Sequence, residues 1–154
     1  MKLYLVQHAK AVPKDVDPQR PLSDEGRRDI KKVAAFIGTL NLEVDFVWHS
    51  KKIRAAQTAE VLSKVILVRM EKIERDGLSP NDNVAAIRDE LVASEYDVMI
   101  VGHMPFVSKL ASLLLTSDES AGTVAFQQGG ILSLEQSTEG QWQVNWMVIP
   151  AILT

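Results

Sequence analysis

Three histidines, His8, His49 and His103, are the only imidazoles in the chain, and each closes a short apolar run: Leu5-Val6-Gln7-His8, Phe46-Val47-Trp48-His49 and Ile100-Val101-Gly102-His103. Imidazole titrates close to neutral pH, so it can serve there as nucleophile, proton carrier or metal ligand. Cysteine is absent, which removes a thiolate nucleophile, a thiolate metal site and a disulfide framework. Just beyond His49 runs Ser50-Lys51-Lys52-Ile53-Arg54. Arg54 is a planar, permanently charged fork suited to an anion. Its place near the start of a predicted helix adds free backbone amides and the positive end of the dipole, and Ser50 adds a hydroxyl.

The elements that must position these residues alternate. Leu3–Val6 predicts a buried strand, and Ser23 caps a helix in which Ile30, Val33, Ala34 and Ile37 recur at helical spacing. Phe46–Trp48 predicts a second strand and Ile53–Leu62 a second helix. Ile66–Met70 predicts a third strand, and Val84, Ile87 and Leu91 mark a third helix. Val98–Val101 predicts the next strand, with Pro105 in the first turn of a helix reaching Leu115. Beyond Thr116, Val124–Phe126, Ile131–Leu134 and Trp142–Val148 read as strands without helices between them. In the last of these Trp142, Val144, Trp146 and Val148 alternate as if one face met the core. Repeated strand-helix units require crossovers that return over a parallel sheet. The expected architecture is an α/β fold, a three-layer α/β/α sandwich with a mainly parallel central sheet. Ligands in such sheets bind outside the carboxyl ends of the strands, which is where all three histidines fall.

With 154 residues, 46% of them hydrophobic, the chain can bury one sizeable core, and one domain over residues 1–154 is expected. The net charge of -3 is spread along the chain without a basic run, so nucleic acid is not an expected partner. The N-terminal apolar stretch is too short for a signal peptide or a membrane span, and a cytoplasmic protein with no membrane partner is expected. A hydrolytic metal site of three histidines with Asp45 would lack the closely spaced ligand pairs such sites use. The residues after the first strand, Gln7-His8-Ala9, supply neither a glycine-rich nucleotide loop nor the acidic cluster of a receiver domain.

The ordered set Gln7-His8-Ala9, His49-Ser50-Lys51-Lys52-Ile53-Arg54-Ala55-Ala56-Gln57-Thr58-Ala59 and Gly102-His103 resembles the histidine phosphatase superfamily. That family has an Arg-His-Gly triplet after its first strand, Ser-Pro-x-x-Arg-x-x-x-Thr-Ala opening a helix after its second, and Gly-His after a later one. Chain length, the Arg20-Pro21-Leu22-Ser23 approach to the first helix and the tryptophan-containing last strand resemble its short SixA-type branch.

The resemblance implies a phosphoglycerate mutase-like fold and a phosphatase with His8 as phosphate-accepting nucleophile. His103 would face it across the phosphate, Arg54 would serve as a charged fork to the phosphate oxygens, and Gln7 and Ser50 would be further phosphate-binding groups. Thr58 reads as helix packing, and Lys10 and Lys51 as surface lysines. A general acid would come from Glu74, Asp76 or Asp82, with no choice among them, and no cofactor or metal is implied. The substrate would be a phosphohistidine on a phosphotransfer protein, or a small phosphate ester, reaching an open site without a lid. Two positions depart from the pattern: Gln7 stands for the triplet's arginine and Ala9 for its glycine. The rival reading is a non-catalytic phosphate- or phosphoprotein-binding module whose turnover went with that arginine.

Overall fold

The computed structural model describes residues 1–154. Its sheet is built by strands β1 (Lys2–Gln7), β2 (Glu43–His49), β3 (Leu67–Glu74), β4 (Val98–Gly102), β5 (Ile131–Gln136) and β6 (Trp142–Val148), in the spatial order β3-β2-β4-β1-β5-β6. The strands from β3 to β1 run parallel, while β5 lies antiparallel to β1 and β6 antiparallel to β5. Helices α1 (Asp24–Ile37), α2 (Ile53–Ser63), α3 (Val84–Ser94) and α4 (Phe106–Thr116) make the crossovers. No helix is long and apolar enough to cross a membrane.

Alternation along the strands divides the core into two layers. Tyr4, Val6, Val47, Met99 and Val101 face α1 and α2, where they meet Ile30, Val33, Ala59 and Leu62. Leu3, Leu5, Trp48, Val98 and Ile100 face α3 and α4, where they meet Ile87, Leu91, Phe106 and Leu110. Strand β4 is buried throughout, as a central parallel strand covered on both faces must be. The predicted helices form with the predicted cap: the Ser23 hydroxyl accepts the Gly26 N–H at 3.0 Å and starts α1.

Two expectations are corrected. Val124–Phe126 forms no strand; the segment is irregular, and Phe126 buries its ring against the α3–α4 layer. The last strand does not keep one face on one layer. A bulge lets Leu134 pair with Val144 while Ser133 pairs with Trp146, so Asn145 is the extra residue. The side-chain alternation therefore slips by one. Trp142 packs with the α3–α4 layer, and Trp146 and Val148 with the α1–α2 layer.

Candidate active site

Sheet register creates the site. Gln7 pairs with Gly102 across β1 and β4, and the His8 N–H extends the ladder to the Gly102 carbonyl at 3.0 Å. The next residues on the two strands, His8 and His103, therefore leave the sheet side by side. Their ring centroids are 5.1 Å apart with the planes inclined at 57°, and both rings are buried. On the far side of β4, His49 pairs with Val101 and the Ser50 N–H reaches the Val101 carbonyl at 3.3 Å. That brings Ser50 Oγ to 2.6 Å from His103 Nε2.

The His8 ring has a defined tautomer. Its Nδ1 lies 2.7 Å from the Ala9 carbonyl oxygen, which can only accept, so Nδ1 carries the proton and Nε2 the lone pair. Burial holds the His8 pKa below the usual histidine range, the hydrogen bond to Ala9 works against that, and the Arg54 and Arg20 charges lower it further. His103 is pushed down to about 3, first by burial and then by His8, Arg54, Lys52 and Arg20. Both rings are therefore neutral near pH 7. The side-chain charges acting on them are all positive, the field of a site built for an anion.

The loop that carries His8 is pinned on two sides. Thr58 is fully buried in α2, where its hydroxyl accepts the Ala9 N–H at 3.1 Å and donates to the Arg54 carbonyl at 2.8 Å. From the other side the Gly129 N–H reaches the Gln7 carbonyl at 2.9 Å and the His8 carbonyl at 3.2 Å. Gly129 sits at φ +79, and a Cβ there would stand 3.1 Å from Pro150, so glycine suits both the conformation and the close approach.

Arg54 follows the first residue of α2, so its guanidinium lies at the helix's positive end. Burial and the neighbouring Arg20 lower its pKa. Four buried side-chain polar atoms have no hydrogen-bond partner, and three belong here: Arg54 Nε, His103 Nδ1 and Gln7 Oε1. Such unpaired buried atoms are rare in folded proteins.

Arg20, in the Arg20-Pro21-Leu22-Ser23 approach to α1, is a further cation beside the histidines that motif spacing does not point to. It sits at φ +52, its Nε donates to the Val12 carbonyl at 3.1 Å, and its charge acts on His8, Arg54 and His103. The lysines go elsewhere: Lys10 pairs with Glu25 at 2.6 Å and Lys51 with Asp76 at 2.9 Å.

The three carboxylates considered as general acids stand apart from the His8–His103 pair. Asp76 is held by Lys51, and Asp82 accepts the Ser79 N–H at 2.9 Å; both line a shallow depression beside Arg75 and Glu90. Glu74 pairs in register with His49, and the two line a separate cleft with Arg27, Gln57 and Lys72. The His49 ring is thus turned to the outer flank of α2. Its Nδ1 donates to the Ser50 carbonyl at 2.9 Å.

The histidine phosphatase superfamily (branch 1) model matches residues 3–79, half of the chain and the part carrying Gln7, His8, Ser50 and Arg54. An uncharacterised protein of Picosynechococcus sp. is 27% identical over 87% of this chain and 84% of its own. The phosphohistidine phosphatase SixA of Escherichia coli is 24% identical over 99% of this chain and 96% of its own. A structure of the protein histidine phosphatase SixA complexed with tungstate superposes with a TM-score of 0.87 at 22% identity, covering 100% of both chains. The chain belongs to the histidine phosphatase superfamily, branch 1.

Proposed function

We propose that the chain is a phosphatase that hydrolyses phosphohistidine, or a small phosphate ester, through a covalent intermediate on His8. The observation that carries this reading is the His8 tautomer: a buried imidazole with its proton fixed on Nδ1 and its lone pair on Nε2, beside His103 in a positive field. In the first step Nε2 forms a bond to phosphorus and the bond to the leaving group breaks. A phosphoimidazole already protonated on its distal nitrogen departs as neutral imidazole, which suits a site whose candidate carboxylates stand apart from His8 and have other partners. In the second step water attacks phosphorus, its proton stays with the phosphate, and the electron pair returns to Nε2. Splitting the displacement in two is the benefit of covalent catalysis.

Charge spreads over three equatorial oxygens during phosphoryl transfer, so fixed donors there supply most of the effect. Arg54, with its unpaired Nε, Arg20 and His103 Nδ1 are the candidates, and Ser50 orients His103. The same group of donors would hold tungstate, the oxyanion bound by the SixA structure of matching fold. Gln7 favours the second reading, a binding module with weakened turnover. Its neutral amide stands where the family triplet has a charged arginine, and its Oε1 is buried without a partner.

The test is turnover of a phosphohistidine-bearing phosphotransfer protein and, separately, an aryl phosphate, by wild type, His8→Ala and His103→Ala. Hydrolysis abolished by His8→Ala and strongly reduced by His103→Ala, with an acid-labile phosphoryl group trapped on His8, is the expected result. Tight tungstate binding without turnover of any substrate establishes the binding module. Activity that needs added zinc and disappears on chelation refutes both.

A further inference from the structure

We infer that Gly26 is a positioning residue for His8: the first turn of α1 is seated on the backbone of Lys10, and this seat, which only a residue without a side chain can make, holds the carbonyl that fixes the His8 proton. The consequence for turnover rests on the proposed role of His8 as nucleophile; the consequence for the His8 ring does not.

A Cβ built on Gly26 would stand 2.0 Å from the Lys10 carbonyl oxygen, 2.9 Å from its carbon and 3.0 Å from the Lys10 nitrogen, all of them backbone atoms. Glycine weakens a helix relative to alanine, and this contact is the reason for it here. The surrounding bonds draw the same two segments together. The Ser23 N–H reaches the Lys10 carbonyl at 3.0 Å and the Val12 N–H reaches the Pro21 carbonyl at 2.8 Å, a short antiparallel ladder through the Ala11–Leu22 bridge. The Ser23 hydroxyl that accepts the Gly26 N–H also donates to the Lys10 carbonyl, at 3.3 Å. Lys10 Nζ meets Glu25 of the same turn, an exposed pair that adds little.

Lys10 matters because of the peptide it shares with Ala9. The Ala9 carbonyl that accepts the His8 Nδ1 proton lies in one plane with the Lys10 nitrogen, and a peptide plane tilts as a unit. The other side of Ala9 is fixed by Thr58, whose hydroxyl accepts its N–H. A methyl group on residue 26 has to move either α1 or Lys10. Ile30, Val33 and Ile37 are fully buried among close-packed neighbours, which holds the helix in place. Lys10 therefore gives way, the Ala9–Lys10 plane turns, and the carbonyl swings off Nδ1. Without that acceptor the proton also occupies Nε2, the atom whose lone pair the proposed reaction needs.

Nitrogen-resonance NMR of the histidine rings in the isotope-labelled full chain, at alkaline pH, tests this on wild type, Gly26→Ala, Ser23→Ala and Gly38→Ala. His49 is the internal reference, since its Nδ1 donates in the same way to the Ser50 carbonyl, on a different loop. Wild type is expected to show both rings protonated on Nδ1 alone. Gly26→Ala is expected to turn His8 into a mixture of the two tautomers while His49 keeps one. It is also expected to lower kcat on an aryl phosphate roughly 2- to 13-fold, the worth of one hydrogen bond, with KM little changed. At Gly38, beyond the other end of α1, a Cβ would meet only the Val65 side chain, at 3.5 Å, so Gly38→Ala is expected to change neither reading. A folded Gly26→Ala with an unchanged His8 spectrum overturns the proposal, and so does a His8 mixture in Gly38→Ala. If Gly26→Ala does not fold, Ser23→Ala decides: it takes the hydroxyl from the Lys10 carbonyl without adding bulk, and a single His8 tautomer there overturns the proposal equally. A tautomer mixture in Gly26→Ala beside a wild type that turns over no substrate establishes the seat and removes the phosphatase reading, so the two fail separately.

Discussion

Ser50 Oγ lies 2.6 Å from His103 Nε2. If the hydroxyl donates, Nε2 is the acceptor and the ring proton sits on the unpartnered Nδ1. Ser50→Ala removes that control over the tautomer while leaving the backbone ladder intact. One neutral hydrogen bond contributes about 0.5–1.5 kcal/mol, so turnover is expected to fall roughly 2- to 13-fold, with little change in phosphate binding. Steady-state kinetics on an aryl phosphate, read as kcat against KM, checks this. An unchanged kcat shows that Ser50 is only packed against the ring.

Gln7 and Arg20 form a second pair of expectations. A charged donor contributes about 1.5–3 kcal/mol against about 1 for a neutral one, so Gln7→Arg is expected to raise kcat/KM by roughly 2- to 30-fold. The comparison is wild type and variant on the same aryl phosphate at pH 7. A variant that folds, binds tungstate more tightly and turns over no faster shows that charge at this position does not limit the rate.

Arg20 tests the same field from the other side. Its charge acts on both histidines and on Arg54, yet its backbone is held at φ +52, a conformation non-glycine residues adopt at a cost. Arg20→Gly should therefore separate the two roles. Glycine relieves the backbone, which offsets the lost hydrogen bond to the Val12 carbonyl, so the thermal midpoint is expected to change little, while loss of a charge-assisted contact of about 1.5–3 kcal/mol lowers kcat/KM by roughly 10- to 200-fold. Calorimetry and kinetics on one preparation decide it. Equal activity in wild type and variant removes Arg20 from the site.

What the sequence shows clearly is what depends on local periodicity. The helix over Ile30, Val33, Ala34 and Ile37 and the central run Val98–Val101 follow from apolar spacing, and both form. His8 and His103 were placed together by the strand-end rule, and sheet register makes them neighbours. The same rule could not say which way a ring turns after the strand, so His49, on an equivalent strand end, goes to the far flank of α2. Thr58 reads as packing, because nothing in an α2 sequence shows that its hydroxyl reaches Ala9, 49 residues away. Arg20 belongs to an irregular loop with no periodicity. The Asn145 bulge is a property of β5 and β6 together and leaves no mark on the alternation of Trp142, Val144, Trp146 and Val148.

The pKa shifts of the two site histidines give a stability signature. Both have folded values depressed below the ordinary histidine range, that of His103 to about 3. As pH falls through about 6.5 the unfolded chain takes up these protons and the folded chain does not. The unfolded state is then favoured, so the stability is fully present above the ordinary value and is lost as pH falls toward the folded one. For His103 alone the loss between pH 6.5 and 5 is about 1.5 kcal/mol. Urea unfolding at pH 7, 6 and 5 should show the midpoint dropping in wild type and dropping less in His103→Gln, whatever that variant's absolute stability. Catalysis has the opposite relation to the same shift: because burial lowers the His8 pKa, Nε2 keeps its lone pair further into acid than an ordinary histidine, and the acid limb of kcat/KM on an aryl phosphate is expected to lie below the usual histidine range. Parallel midpoint curves for the two proteins show that His103 is not buried in its neutral form, and with it the reason for an unprotonated pair beside Arg54 disappears.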